Sequence, residues 1–182
     1  MSALFLETPA SGKAAGKYLT FILGTCAYGI PILKVREIIR LLDITPIPRM
    51  PEYVRGVINL RGKIVPVIDL RMKFGLPNTT TTNRTCIIVT HVVMDSSPKL
   101  MGLIVDALEE VYQINAEDME PAPDFGKSAP TGYIQNMAKT KGQVKALLNI
   151  DQIVQDDHVI LPLHDIAQAT AVATAATSTS QG

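Results

Sequence analysis

Few side chains in this 182-residue sequence are spaced for catalysis. Of the three histidines, His91 stands in an apolar run, where a histidine is more often structural than catalytic. His158 and His164 lie near the C-terminal end without cysteine or carboxylate partners at metal-ligand spacing. Cys26 and Cys86 are 60 positions apart with no C-x-x-C pair, so they read as buried free thiols of a reducing compartment, neither disulfide nor zinc ligands. Glu109-Glu110 is the one acid pair of interest. Adjacent strand residues face opposite ways, so it reads as a solvated Glu109 beside a structural Glu110. The stretch Gly12 to Lys17 resembles a phosphate loop, but it is one residue short, lacks the closing Ser or Thr, and follows no strand. No catalytic residue, metal or cofactor is expected, and the residues point to a binding protein.

One cation does have a distinctive setting. Apolar runs at 57–60 and 64–68 flank the polar tip Arg61-Gly62-Lys63. Runs rich in Val and Ile broken by a Gly-containing turn predict a β-hairpin, with Gly62 reversing the chain at φ > 0. Pro66 lacks an N–H, which places its strand at an edge or a bulge. Asp69 is placed to cap a short helix over 70–74 that stops at Gly75.

Composition limits the alternatives. Hydrophobic residues make up 47% of the chain, but aromatics only 5% with no Trp, so the core must be aliphatic. No segment approaches the roughly 18 apolar residues of a membrane helix, and the N-terminus lacks the basic region of a signal peptide. A cytoplasmic protein without membrane insertion is expected. Residues 1–75 carry 11 Lys/Arg and 5 Asp/Glu, against 6 and 12 in residues 76–182. Such a charge dipole suits oriented docking onto proteins. Nucleic acid is not expected, because the basic residues are scattered and few aromatics accompany them. A small-barrel oligonucleotide binder and a His91 hydrolase or transferase are the competing function classes.

The chain also repeats itself. Gly29-x-x-Ile32-x-x-Val35-x-Glu37-Ile38 matches Gly102-x-x-Val105-x-x-Leu108-x-Glu110-Val111 at an offset of 73 residues. A hairpin follows each copy: Ile58-Asn59-Leu60 aligns with Gln135-Asn136-Met137, and Asp69-Leu70 with Asn149-Ile150. The pattern predicts an all-β chain of two five-stranded units with short helical segments, roughly 30–80 with 18–29 shared, and 85–150. Residues 1–15 read as a flexible arm and 156–182 as a largely disordered Ala/Thr/Ser tail. The second hairpin tip reads as Ala138-Lys-Thr-Lys, so Arg61-Gly62 belongs to the first copy alone and is marked as functional by that difference.

The motif Tyr28-Gly29-Ile30-x-Ile32-x-x-Val35-x-Glu37-Ile38, the run Gly56-Val-Ile-Asn-Leu-Arg-Gly62-x-Ile-Val-Pro-Val-Ile-Asp-Leu-Arg71 and Gly102-Leu-Ile-Val-Asp106 together resemble the CheW family of chemotaxis coupling proteins. The resemblance covers residues 16–155. Asn136 departs from it, at a position commonly held by Gly. It implies two five-stranded SH3-like β-barrels and an adaptor without catalysis. Such an adaptor bridges the cytoplasmic tips of methyl-accepting chemoreceptors to the regulatory domain of the histidine kinase CheA. It is recruited to membrane-associated receptor arrays and forms rings with the kinase or with other CheW copies. A coupling protein for a surface-motility array is the alternative within the family. On this reading Ile32, Val35, Val105 and Leu108 line a receptor groove. Glu37 pairs with Arg61 beside it, because a guanidinium between Leu60 and Gly62 is otherwise poorly solvated. Gly56, Asn59, Arg61, Gly62 and Lys63 are the expected kinase contacts, with Phe125 for contacts on the second barrel.

Overall fold

A computed structural model describes residues 15–77, 80–122 and 133–155. The arm before residue 15, Phe125, His158, His164 and the tail from residue 156 lie outside the described residues.

The chain runs β1 (Gly16–Leu23), β2 (Cys26–Pro31), a 3-10 turn (Ile32–Lys34), β3 (Val35–Arg40), β4 (Val54–Leu60), β5 (Lys63–Asp69) and α1 (Leu70–Lys73). It continues β6 (Cys86–Met94), β7 (Ser97–Val105), β8 (Ala107–Ile114), a 3-10 turn (Ala116–Asp118), β9 (Met119–Pro121), β10 (Ile134–Thr140), β11 (Gln143–Leu148) and α2 (Ile150–Gln155). Three hairpins turn on two residues that both have positive φ: Arg61-Gly62, Asp95-Ser96 and Lys141-Gly142. That backbone twist matches the twist of the flanking strands, which is why two-residue hairpins favour it. Asp69 caps α1 as expected, accepting from the Arg71 and Met72 amides at 2.9 and 3.4 Å.

The strands form a five-stranded sheet, β3-β6-β7-β5-β4, and a six-stranded one, β8-β1-β2-β11-β10-β9. The short β9 is the strand beyond the expected five. Neither ladder closes on itself, so the expected barrels are curled sheets with a seam. The two sequence copies also exchange their first hairpins: β1-β2 joins β8 and β11, whereas β6-β7 joins β3 and β5. The sheets therefore do not follow the grouping 30–80 and 85–150. The repeat's own glycines sit at these exchanges, where β2 meets β11 and β7 meets β5 in parallel. A Cβ on Gly29 would lie 2.9 Å from the Leu147 side chain, and one on Gly102 3.1 Å from that of Val67. A side chain at either position would have to displace these packed neighbours.

The largest apolar cluster lies between the sheets and includes Phe21, Ile30, Leu70, Ile88, Leu103, Val105, Leu148 and Ile153. A smaller one, Ile58, Val65, Val67, Ile87, Val89 and Ile104, fills the first sheet's curl. Tyr18, Ile114, Met119, Ala138 and Leu147 fill the second. Cys86 is buried within the large cluster, but Cys26 is exposed beside the Gly24-Thr25 turn, contrary to the expectation for both thiols. The turn displaces Cys26 to the very end of its strand, where it leaves the packed face.

Candidate functional site

The β4–β5 tip and β3 meet at the seam of the five-stranded sheet. Glu37 shares a strand face with Ile39, which packs into the first curl, so its carboxylate is drawn inward and needs a partner. Arg61 supplies one through a bidentate contact, 2.9 Å to Oε1 and 2.8 Å to Oε2. The two-point geometry fixes both side chains, not merely their charges. The reason for the pair is the reverse of the one expected. Arg61 is 73% exposed and well solvated, and Glu37, at 20%, is the group that water reaches poorly. Asn59 braces the turn from below by accepting from the Gly62 amide at 2.8 Å. Next to this frame in the chain, Ile38 and Ile64 present exposed apolar surface; Leu33, at 90% exposure, precedes β3, and Leu41 and Leu42 are exposed past the far end of β3, beside Arg55 and Asp69.

The second sheet repeats the arrangement. Its hairpin turns on Lys141-Gly142, at the end of the polar stretch that begins at Ala138, and Lys141 pairs with Glu110 at 3.1 Å. The register Ile58↔Val65 and Ala138↔Lys145 sets the hairpin offset at 80 residues, which also aligns Arg61 with Lys141. A basic-Gly tip bound to the glutamate of the repeat is therefore common to both units. What distinguishes the first is the arginine, with its bidentate fork, and not the presence of a charged tip. Val111 and Val144 are exposed where Ile38 and Ile64 stand in the first unit. Hydrogen bonds from Tyr112, and then from Lys141, hold the Glu110 carboxyl below the usual range, and the Tyr112 bond pushes the phenol up to about 12. Glu109 is no free, solvated acid: it pairs with Lys145 at 2.6 Å.

The structure brings Glu37, Asn59, Arg61, Gly62 and Lys63 together at one end of the first sheet. Ile32, Val35 and Leu108 are half-buried against the central core. Val105 does not line a groove, because its side chain has no exposed surface and belongs to that core. Gly56 is not a contact surface either. It is buried at the β4 bulge, and a Cβ there would sit 1.9 Å from the Thr45 carbonyl oxygen. Ile38, Ile64 and Leu33 are the surface residues the sequence left unmarked. Strand alternation is the signal that could have found Ile64, which points opposite to buried Val65, but the unbroken run Ile-Val-Pro-Val-Ile hides which face is inside. His91 is half-buried in β6, and among the described residues no three His, Cys, Asp or Glu side chains gather as metal ligands.

Residues 17–158 match a family model described as a CheW-like domain. The chain is 33% identical over 162 residues to the chemotaxis protein CheW of Klebsiella aerogenes, covering 88% of this chain and 95% of the relative. It is 26% identical to protein FrzA of Myxococcus xanthus, over 80% of this chain and 89% of that protein. A crystal structure of the scaffolding protein TtCheW from Thermoanaerobacter tengcongensis superimposes with a TM-score of 0.69 at 33% identity, covering 78% of this chain and 94% of that one.

Proposed function

The chain belongs to the CheW family, and we propose that it couples the cytoplasmic tips of chemoreceptors to the regulatory domain of the histidine kinase CheA. It is a chemotaxis adaptor, and on this reading it carries no catalytic step of its own. The observation that supports the reading most is the family match, which spans nearly every described residue. Among the described residues no helix is long and apolar enough to cross a membrane, which suits recruitment to the receptors from the cytoplasm.

The Glu37–Arg61 frame, with exposed Ile38 and Ile64 next to it in the chain, is the docking end we assign. A receptor tip is a helical hairpin, and its apolar stripe fits against Ile32, Val35 and Leu108 where their surface remains open. Kinase contact falls to the hairpin tip at Asn59, Arg61, Gly62 and Lys63, and ring contacts to the second sheet, with Phe125 among them. Receptor-stimulated phosphorylation by the kinase tests this. Arg61→Ala abolishes the stimulation while the far-ultraviolet circular dichroism stays unchanged, and stimulation equal to wild type removes the docking end from the account.

A further inference from the structure

The interior of the second sheet holds a charge where the first holds none. At the offset of 80, Lys145 replaces Val65 and Ala138 replaces Ile58, and at the offset of 73 Tyr112 replaces Ile39. Lys145 shares the inward strand face with Leu147 and has no exposed side-chain surface. Its Nζ lies 2.6 Å from Glu109 and 4.6 Å from the centre of the Tyr112 ring, and Lys141 approaches the same ring at 5.3 Å. The three replacements are coordinated. Shrinking Ile58 to Ala138 vacates the space directly across the ladder from the longer lysine, and the ring of Tyr112 gives the ammonium a π-face that an isoleucine cannot.

Glu109 and Tyr112 belong to β8, and Lys145 to β11. In the sheet order these strands are separated by β1 and β2, so no backbone ladder joins them. The sheet curls until β8 returns beside β10; β9, which follows β8 after the 3-10 turn, ladders with β10, and Lys145 reaches β8 from β11 through its side chain. We infer that Glu109, Tyr112 and Lys145 form a lock that closes this seam and holds β8 in place. The first sheet closes its equivalent seam with the Thr45–Val57 backbone bridge, aliphatic packing and the Glu37–Arg61 pair, with no charge inside. The second sheet is thus closed from inside.

A buried ammonium whose partner is removed is far worse off than a partly exposed carboxylate whose partner is removed. Glu109 is 24% exposed and can turn to water, but Lys145 cannot. The lock therefore predicts an asymmetry that simple core filling does not. By hydrogen exchange on the full chain, Glu109→Gln speeds exchange of the β8 amides by about tenfold or more. Lys145→Met does so less, and the double variant returns β8 close to wild-type protection. Lys145→Val alone leaves β8 loose, whereas Tyr112→Ile, Ala138→Ile and Lys145→Val together, which graft the first sheet's interior, restore protection. The exposed pair Lys139–Glu120 is the control, and Glu120→Gln leaves β8 unchanged. Unaltered β8 exchange in Glu109→Gln, or a double variant no better than Glu109→Gln, overturns the inference.

Discussion

Replacing Gly56 by alanine attacks the joint that holds the β4 edge. The added Cβ would lie 1.9 Å from the Thr45 carbonyl oxygen, 2.7 Å from its carbon and 2.9 Å from the Pro46 Cα, all backbone atoms that no rotamer change can move. The 44–46 segment must withdraw by about 1 Å or more to reach ordinary contact. Thr45 and Val57 exchange two backbone hydrogen bonds of 2.9 Å, and both are lost by that shift. Each contributes about 1 kcal/mol net. Gly56 also has φ +138°, a conformation that costs a residue with a Cβ about 1–3 kcal/mol. The sum is about 3–5 kcal/mol, which for a chain of this size lowers Tm on the order of 10 °C. Gly62→Ala is the control, because Gly62 has φ +86° but no atom within 4 Å of the added Cβ. It should cost about 1–2 kcal/mol from the backbone alone. Thermal unfolding followed by circular dichroism compares the two. Equal shifts, or a smaller one for Gly56→Ala, refute the collision with Thr45.

Two further outcomes follow from the charge pairs. Arg71 joins α1 to Asp106 at 2.5 Å and donates to the Pro77 carbonyl at 2.6 and 3.2 Å, while Asp106 also accepts from the Gly24 amide. Arg71→Ala should cost about 2–4 kcal/mol in urea unfolding, and Arg71→Lys should recover less than half, since an ammonium cannot serve both acceptors with one planar fork. The Tyr112 phenol ionises near 12 because its proton is held by Glu110. A raised value means that this contribution is complete below the unfolded value of about 10 and lost as pH rises through about 12. Spectrophotometric titration should therefore show one fewer late-ionising tyrosine in Glu110→Gln than in wild type.

The sequence made local chemistry legible and non-local pairing much less so. Gly62 announced its hairpin and Asp69 its helix cap, since both act within a few residues. The offset of 73 revealed that Glu37 and Glu110 are equivalent, and opposite charge suggested the Glu37–Arg61 pair. The exchange of hairpins between sheets left no such trace, because β2 with β11 and β5 with β7 are joined across more than 30 residues of intervening chain. Within Ala138 to Gly142 the sequence does not single out the two turn residues, because Ala138-Lys-Thr-Lys is polar throughout, and the positive φ at Lys141 and Gly142 identifies them. Duplication does not tell a surface position from a core one, because duplicated positions look alike whether they bind or pack, and Val105 packs. Nothing local marks Lys145, because one lysine in a strand normally points to water. Its burial depends on Ala138 and on a glutamate 36 positions away.

On the proposed function, the Arg61 end of the first sheet is the junction between receptor and kinase. Arg61 is largely exposed, so its pair with Glu37 contributes less than about 1 kcal/mol to folding. Arg61→Ala therefore separates function from stability. In a pull-down with a receptor signalling tip and the kinase regulatory domain, wild type should retain both partners at once, and Arg61→Ala should lose the ternary complex with its Tm nearly unchanged. Recovery of both partners by Arg61→Ala at wild-type levels would contradict the account.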